Sequence, residues 1–169
     1  EPDYGVSNDN NLAYVAAIAM QRYFERQMRV RITVEKRIPE QAGLGGGSSD
    51  AAAVIAGLCK YWGFNKLDPL VQYIASILGS DTVGFLYDGP THMTSFGEKH
   101  VETFEALDLP LVLVKPNKGV STAEAYRVFD SLPSPSPRMP LDLLVAGLRQ
   151  NDAELAVSHF ANNLEDASI

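Results

Sequence analysis

The chain has 169 residues, 46% of them hydrophobic, enough to bury one core within an ordinary domain length. A formal net charge of −7 argues against a binder of nucleic-acid backbone, which needs a basic face. With no apolar run long enough to span a bilayer and no signal-peptide pattern, the expectation is a soluble, cytoplasmic protein with no membrane partner.

Asn8 to Asn11 offers good capping side chains ahead of an apolar helical repeat, predicting a first helix over residues 12–26. Residues 30–36 alternate and predict a strand. A helix follows over residues 48–62, with Ser48 and Ser49 as candidate caps and the single cysteine, Cys59, on its apolar face. One cysteine excludes an internal disulfide framework and a thiolate zinc site, so Cys59 reads as a core residue. Asp68-Pro69 supplies a cap and a first-turn proline for a helix ending at Leu78. From Thr82 to Val101 the mixture of Gly, Thr and aromatic residues suggests a hairpin or meander, with Gly89, Gly97 and Glu98 shaping it.

Residues 109–115 are flat and apolar and predict a buried strand. Ser121-Thr122-Ala123-Glu124 fits a capping box that opens a helix to about Asp130. Residues 131–140 hold four prolines and can form only a surface loop or linker. Residues 141–148 and 153–162 again look helical. His92, His100 and His159 have no metal-ligand spacing, and no metal ligand is assigned.

The stretch from Pro39 to Ala53 holds the strongest signal. Gly43, Gly45, Gly46 and Gly47 fill four of five positions immediately before a helix-forming segment. Glycines allow positive φ and close approach of a ligand, and the first N–H groups of a helix have no internal partner. A phosphate suits the positive end of the helix dipole. The loop is not a Walker A motif, since no Gly-Lys-Ser/Thr follows, and it does not reproduce the Gly-x-Gly-x-x-Gly dinucleotide fingerprint. It resembles the phosphate loop of the GHMP kinases. Within that superfamily, Ala42 to Ala52 is most similar to the branch that phosphorylates 4-diphosphocytidyl-2-C-methyl-D-erythritol in non-mevalonate isoprenoid synthesis. The resemblance extends to Asn10-Asn11-Leu12, residues 35–39, Leu78-Gly79-Ser80-Asp81, Gly97-Glu98 and residues 119–126.

The resemblance implies an α+β fold. Residues 1–108 would be part of an N-terminal ATP-binding domain, like domain 2 of ribosomal protein S5. Residues 109–169 would begin a C-terminal α/β domain. It implies ATP and Mg²⁺, with Asn11, Lys36, Pro39, Ala42, Gly43, Leu44, Gly45, Gly46, Gly47, Ser48 and Ser49 on the nucleotide. Asp81 matches the family's catalytic aspartate, which accepts the acceptor's proton; a carboxylate suits a loose phosphoryl transfer in which proton removal is late. Thr122 and Tyr126 match part of the pocket for the cytidine and erythritol groups. As bare residues, Asp81 reads as a turn aspartate, Lys36 as a solvated strand end or a functional lysine, Tyr126 as an amphipathic core residue and Asp50 as a dipole-matched charge or a group near Mg²⁺.

Two departures stand out. Where the family usually continues Val-Pro-Phe-Phe after the aspartate, this chain has Thr82-Val83-Gly84-Phe85. The family's first strands, with the lysine that partners the aspartate, and its last glycine-rich motif have no counterpart, so the chain reads as an internal fragment, a poor catalyst alone, and a monomer or weak homodimer. The competing readings are a nucleotide-binding module without catalysis, a GHMP kinase of another small molecule, and a glycine loop serving only as a connector.

Overall fold

A computed structural model of the chain describes residues 10–27, 29–39, 41–116, 119–132, 141–165 and 167. They form two compact units. The first takes the described chain up to Ile38 and again Gly45–Thr103; the second takes Pro39–Leu44 and the described chain from Phe104 onward.

In the first unit, α1 (Leu12–Tyr23) begins at Asn11, whose side-chain oxygen accepts from the Ala13 N–H at 3.0 Å. It stops three residues short of the expected end, with Glu25 at φ 49° turning the chain out of the helix. α2 (Gly46–Trp62) starts at Gly45 and ends at Gly63, both left-handed. α3 (Pro69–Leu78) has the expected Asp68 cap, accepting from the Leu70 N–H at 2.9 Å, and the proline in its first turn. A short α4 (Ser80–Gly84) follows, so Thr82 to Gly84 are helical and the hairpin occupies only the later part of its expected range. β1 (Thr91–Thr94) and β2 (Lys99–Thr103) pair antiparallel, with a register irregularity between His92 and Met93.

The helical packing follows from the apolar faces. Met20, Ile55, Val71, Ile74, Val83 and Leu86 are fully buried against one another, each contributing roughly 1.5–3 kcal/mol by leaving water. Cys59 lies in this core, as its position on the apolar face implied. Aromatic contacts fix the directions of the helices. Phe24 at the end of α1 stacks on Phe64 just past α2, at 4.6 Å between centroids, while Leu12 and Gly47 meet at the opposite end. α1 and α2 therefore run side by side in the same sense. Tyr23 at the end of α1 meets Tyr73 in the first half of α3 edge-on, so α3 returns antiparallel. Its C-terminus arrives where α1 and α2 begin, and this arrangement gathers the functional motifs.

The second unit holds α5 (Thr122–Ser131), α6 (Asp142–Gln150) and α7 (Ala153–Val157). The Ser121 side chain caps α5 by accepting from the Glu124 N–H. The other half of the expected capping box is absent, because Glu124 pairs with Arg127 instead. α6 and α7 pack closely at Gly147, where an added Cβ would lie 2.6 Å from the Ala156 nitrogen. α7 ends five residues before the expected boundary. The proline-rich residues 133–140 lie outside the described residues.

Two expected strands do not form ladders. Residues 30–36 carry no strand pairing, and residues 109–115 are neither paired nor buried, with Val112 90% and Val114 89% exposed. A strand is stabilised by cross-strand hydrogen bonds and side-chain pairs, and among the described residues no third or fourth strand meets either segment. Alternation records a preference for extended backbone and cannot supply the partner.

Candidate phosphate-binding site

The site is built on the start of α2. The Ser49 N–H makes the first helical hydrogen bond, to the Gly45 carbonyl at 2.8 Å. Among the described residues nothing accepts from the N–H groups of Gly46, Gly47 and Ser48. These three donors stand at the positive end of a 17-residue helix. Ser48 and Ser49 are not its caps, contrary to the sequence expectation. Gly45, at φ 65°, occupies the cap position without a side-chain bond, and the helix begins two residues earlier than predicted. The Ser49 hydroxyl instead donates back to the Gly46 carbonyl at 2.9 Å, leaving Ser48 with a hydroxyl unengaged by the described residues.

Each glycine here is packed closely. A Cβ on Gly46 would sit 3.0 Å from Ile38 Cγ2 and 3.8 Å from Lys36 Nζ, and one on Gly47 would sit 3.3 Å from Leu12 Cδ1. Lys36 and the Asn11-capped start of α1 therefore flank the free amides. Lys36 donates to Asp50 Oδ2 at 2.6 Å, with side chains 24% and 28% exposed.

The turn carrying Asp81 closes the other side. A Cβ on Gly79 would lie 3.4 Å from Thr82 Oγ1 and 3.8 Å from Ser48 Oγ, and a Cβ on Gly45 would lie 2.8 Å from two ring atoms of Phe85. α4 thus touches the glycine loop at both ends. Asp81 is exposed in its first turn, its carboxylate making no hydrogen bond or ion pair with the described residues. α4 forms without a proline, with Thr82 and Val83 buried. The hairpin turn braces this segment. Gly97, at φ 99°, passes so close to Ser80 that a Cβ would be 3.3 Å from the serine Cβ. Glu98 fastens the turn by accepting from the Phe96 N–H at 2.9 Å. Its own backbone N–H, the Ser95 hydroxyl and the Phe96 N–H hold its carboxyl below the usual range. Burial, with Asp68 nearby, pushes the Cys59 thiol up, which suits an inert core residue.

The remaining expected site residues belong to the second unit. Pro39, Ala42, Gly43 and Leu44 form an open turn there, with Gly43 at φ 68° and space around its Cα. The Gln41 carbonyl accepts from the Val120 N–H at 3.1 Å, and a Cβ on Gly119 would come within 2.5 Å of Gln41 Cβ. The turn is thereby tied to the segment that enters α5. Thr122 and Tyr126 lie exposed on that helix; Tyr126 is 55% exposed and is not a core residue.

The arrangement has the parts of a phosphate site: free amides at a helix start, a lysine beside them and a carboxylate opposite. Residues 11–89 match the model of the GHMP kinases N terminal domain. The chain is 40% identical over 163 residues to the 4-diphosphocytidyl-2-C-methyl-D-erythritol kinase of Synechococcus sp., covering 92% of this chain and 52% of that protein. Residues 11–89 form a GHMP kinase N-terminal domain. The chain is also similar to the 4-diphosphocytidyl-2-C-methyl-D-erythritol kinase of Exiguobacterium sibiricum, 33% identical over 98% of this chain and 57% of that protein. A crystal structure of 4-(cytidine 5'-diphospho)-2C-methyl-D-erythritol kinase superimposes with a TM-score of 0.67 at 31% identity, over 99% of this chain and 58% of that one. The chain spans about half the length of the curated relatives it matches.

Sequence reasoning missed three contributors. Gly119 and Phe85 act by close contact with residues far away in the chain, which no local pattern reports. Asp50 was read as a helix-dipole charge or a group near Mg²⁺, without its partner Lys36, fourteen positions upstream. An acidic residue in the first turns of the helix with a lysine ending the preceding segment was the available signal.

Proposed function

We propose that this protein, as the intact native polypeptide, transfers the γ-phosphoryl group of ATP to the 2-hydroxyl of 4-diphosphocytidyl-2-C-methyl-D-erythritol. The observation that carries the reading is the meeting of three amides, Gly46 to Ser48, with the turn that bears Asp81, all four without a partner among the described residues. In this reading the amides and the Ser48 and Ser49 hydroxyls hold phosphate oxygens. Gly43, Gly45, Gly46 and Gly47, together with Pro39, Ala42 and Leu44, contact the nucleotide in this reading. Lys36 and Asn11 take the adenosine side. Thr122 and Tyr126, exposed on α5, contact the acceptor.

The acceptor oxygen attacks the γ-phosphorus, the bond to the β,γ-bridging oxygen breaks, ADP departs with that electron pair, and the hydroxyl proton passes to the Asp81 carboxylate. Magnesium fits as an ion carried by the nucleotide: phosphate oxygens and waters supply most of its ligands, and among the described residues no cluster of three or more His, Cys, Asp or Glu gathers to cage it. When bound, it neutralises charge on the phosphate oxygens. The same reading describes a cytoplasmic enzyme, a monomer or weak homodimer. The family names carried by the relatives support this acceptor over other small alcohols.

Coupled ADP-release assays on the intact polypeptide test the proposal, comparing this acceptor with homoserine, mevalonate and galactose. ADP formation only with the cytidylyl acceptor supports it; preference for another alcohol overturns the substrate assignment. Asp81→Asn lowers kcat about 10²-fold or more while ATP still binds, the range for loss of a general base. Unchanged turnover removes Asp81 from its role, and ATP binding without any transfer by the parent favours a binding module.

A further inference from the structure

In the phosphoryl-transfer scheme above, Lys36 lies on the nucleotide, toward the adenosine side, and Asp50 has no part; the ion pair between them, at the Gly46 end of the helix, raises an electrostatic question. Asp50 is the fifth residue of α2, one turn behind the three free amides. A carboxylate there suits the helix dipole, yet it also stands close to where a polyanion would sit. Left uncompensated, it would weaken phosphate binding by like-charge repulsion.

Lys36 has the complementary difficulty. It lies in a segment that makes no ladder, between Glu35 and Arg37, which pair with each other at 2.9 Å. The Asp50 contact at 2.6 Å is the polar contact that fixes its ammonium, and the packing of Ile38 on Gly46 brings the segment to the helix start. Both side chains are about three-quarters buried, so the pair is less screened than a surface bridge.

Building on the nucleotide reading above, we propose that Asp50 is a positioning residue that acts through Lys36. It holds the ammonium beside the Gly46 amide, where it adds to the positive potential of the helix start, and Lys36 in turn cancels the carboxylate's repulsion of the phosphates. Neither residue alone serves: a lysine without Asp50 loses its place, and Asp50 without the lysine repels the ligand.

ATP binding by the intact native polypeptide, measured by calorimetry for the parent, Asp50→Ala, Lys36→Met and the double variant, tests this. Asp50→Ala weakens ATP about tenfold, the scale of one charge-assisted hydrogen bond, and Lys36→Met weakens it at least as much. The double variant is no weaker than Lys36→Met, because Asp50 then has nothing to hold. Asp50→Asn, which keeps shape and an acceptor, retains an intermediate affinity and serves if the alanine variant does not fold. Tighter binding by Asp50→Ala or Asp50→Asn overturns the proposal, since it means repulsion dominates. So do unchanged binding and losses that simply multiply in the double variant. Absence of ATP binding by the parent instead overturns the nucleotide reading, and this inference with it.

Discussion

Gly45→Ala probes the contact on which the site's shape depends. The residue sits at φ 65°, a conformation that costs an L side chain about 1–2 kcal/mol. Its new Cβ would also lie 2.8 Å from Phe85 Cε2 and Cζ, whereas carbon atoms pack at about 3.5–4.0 Å. The ring must therefore retreat by about 1 Å. Phe85 is 46% exposed and has room to do so, at the off-rotamer cost of about 0.5–1.5 kcal/mol. The expected total is about 2–3 kcal/mol, read from urea unfolding at constant m. The same substitution in a Phe85→Ala background meets no ring and should cost only the backbone part, so the cycle shows a coupling of about 1 kcal/mol. An identical cost in both backgrounds would show that the ring does not rest on the loop, and with it would go the argument that α4 is docked there. Because Phe85 ends the helix that begins with Ser80-Asp81, the proposed activity of the intact polypeptide should also fall further with Gly45→Ala than with Phe85→Ala.

Thr82 is fully buried and its hydroxyl has no hydrogen-bond partner among the described residues. Thr82→Val, nearly equal in shape, should raise stability by about 1 kcal/mol; a loss of that size would mean a bound water or an unseen acceptor satisfies the hydroxyl. The Glu98 carboxyl, held below its ordinary range by the turn amides and Ser95, stabilises the folded hairpin fully above the unfolded glutamate range. That contribution disappears as pH falls through the lowered folded value. The Phe96 amide resonance should report this by shifting only in that acidic window, whereas a shift centred at the ordinary glutamate value would show that the turn exerts no such hold.

The features legible in the chain were those specified locally. Asn11, Asp68-Pro69 and Ser121 each act within three residues of where they stand, and all three begin helices as expected. The order of glycines before an alanine-rich helix likewise pointed to a left-handed entry and free amides. Where the cap falls was misjudged: serine is the better cap by side-chain chemistry, but a left-handed Gly45 lets the helix start earlier, and Ser49 then turns its hydroxyl back on its own helix. Residues 30–36 and 109–115 illustrate the other kind of failure. Their extended character is local, but pairing depends on strands elsewhere, and the described residues contain none for them. Contacts such as Gly79 with Ser48, Gly97 with Ser80 and Lys36 with Asp50 join residues that only the tertiary fold brings together.

The account rests on an anion held by the opening amides of α2. Amide spectra of the isotopically labelled intact polypeptide, followed during titration with Mg²⁺-ATP, test it most directly. The account predicts that Gly46, Gly47 and Ser48 show the largest shifts and saturate together, with Asp81 and its neighbours responding next. Saturable ATP binding that leaves those three amides unmoved would contradict it.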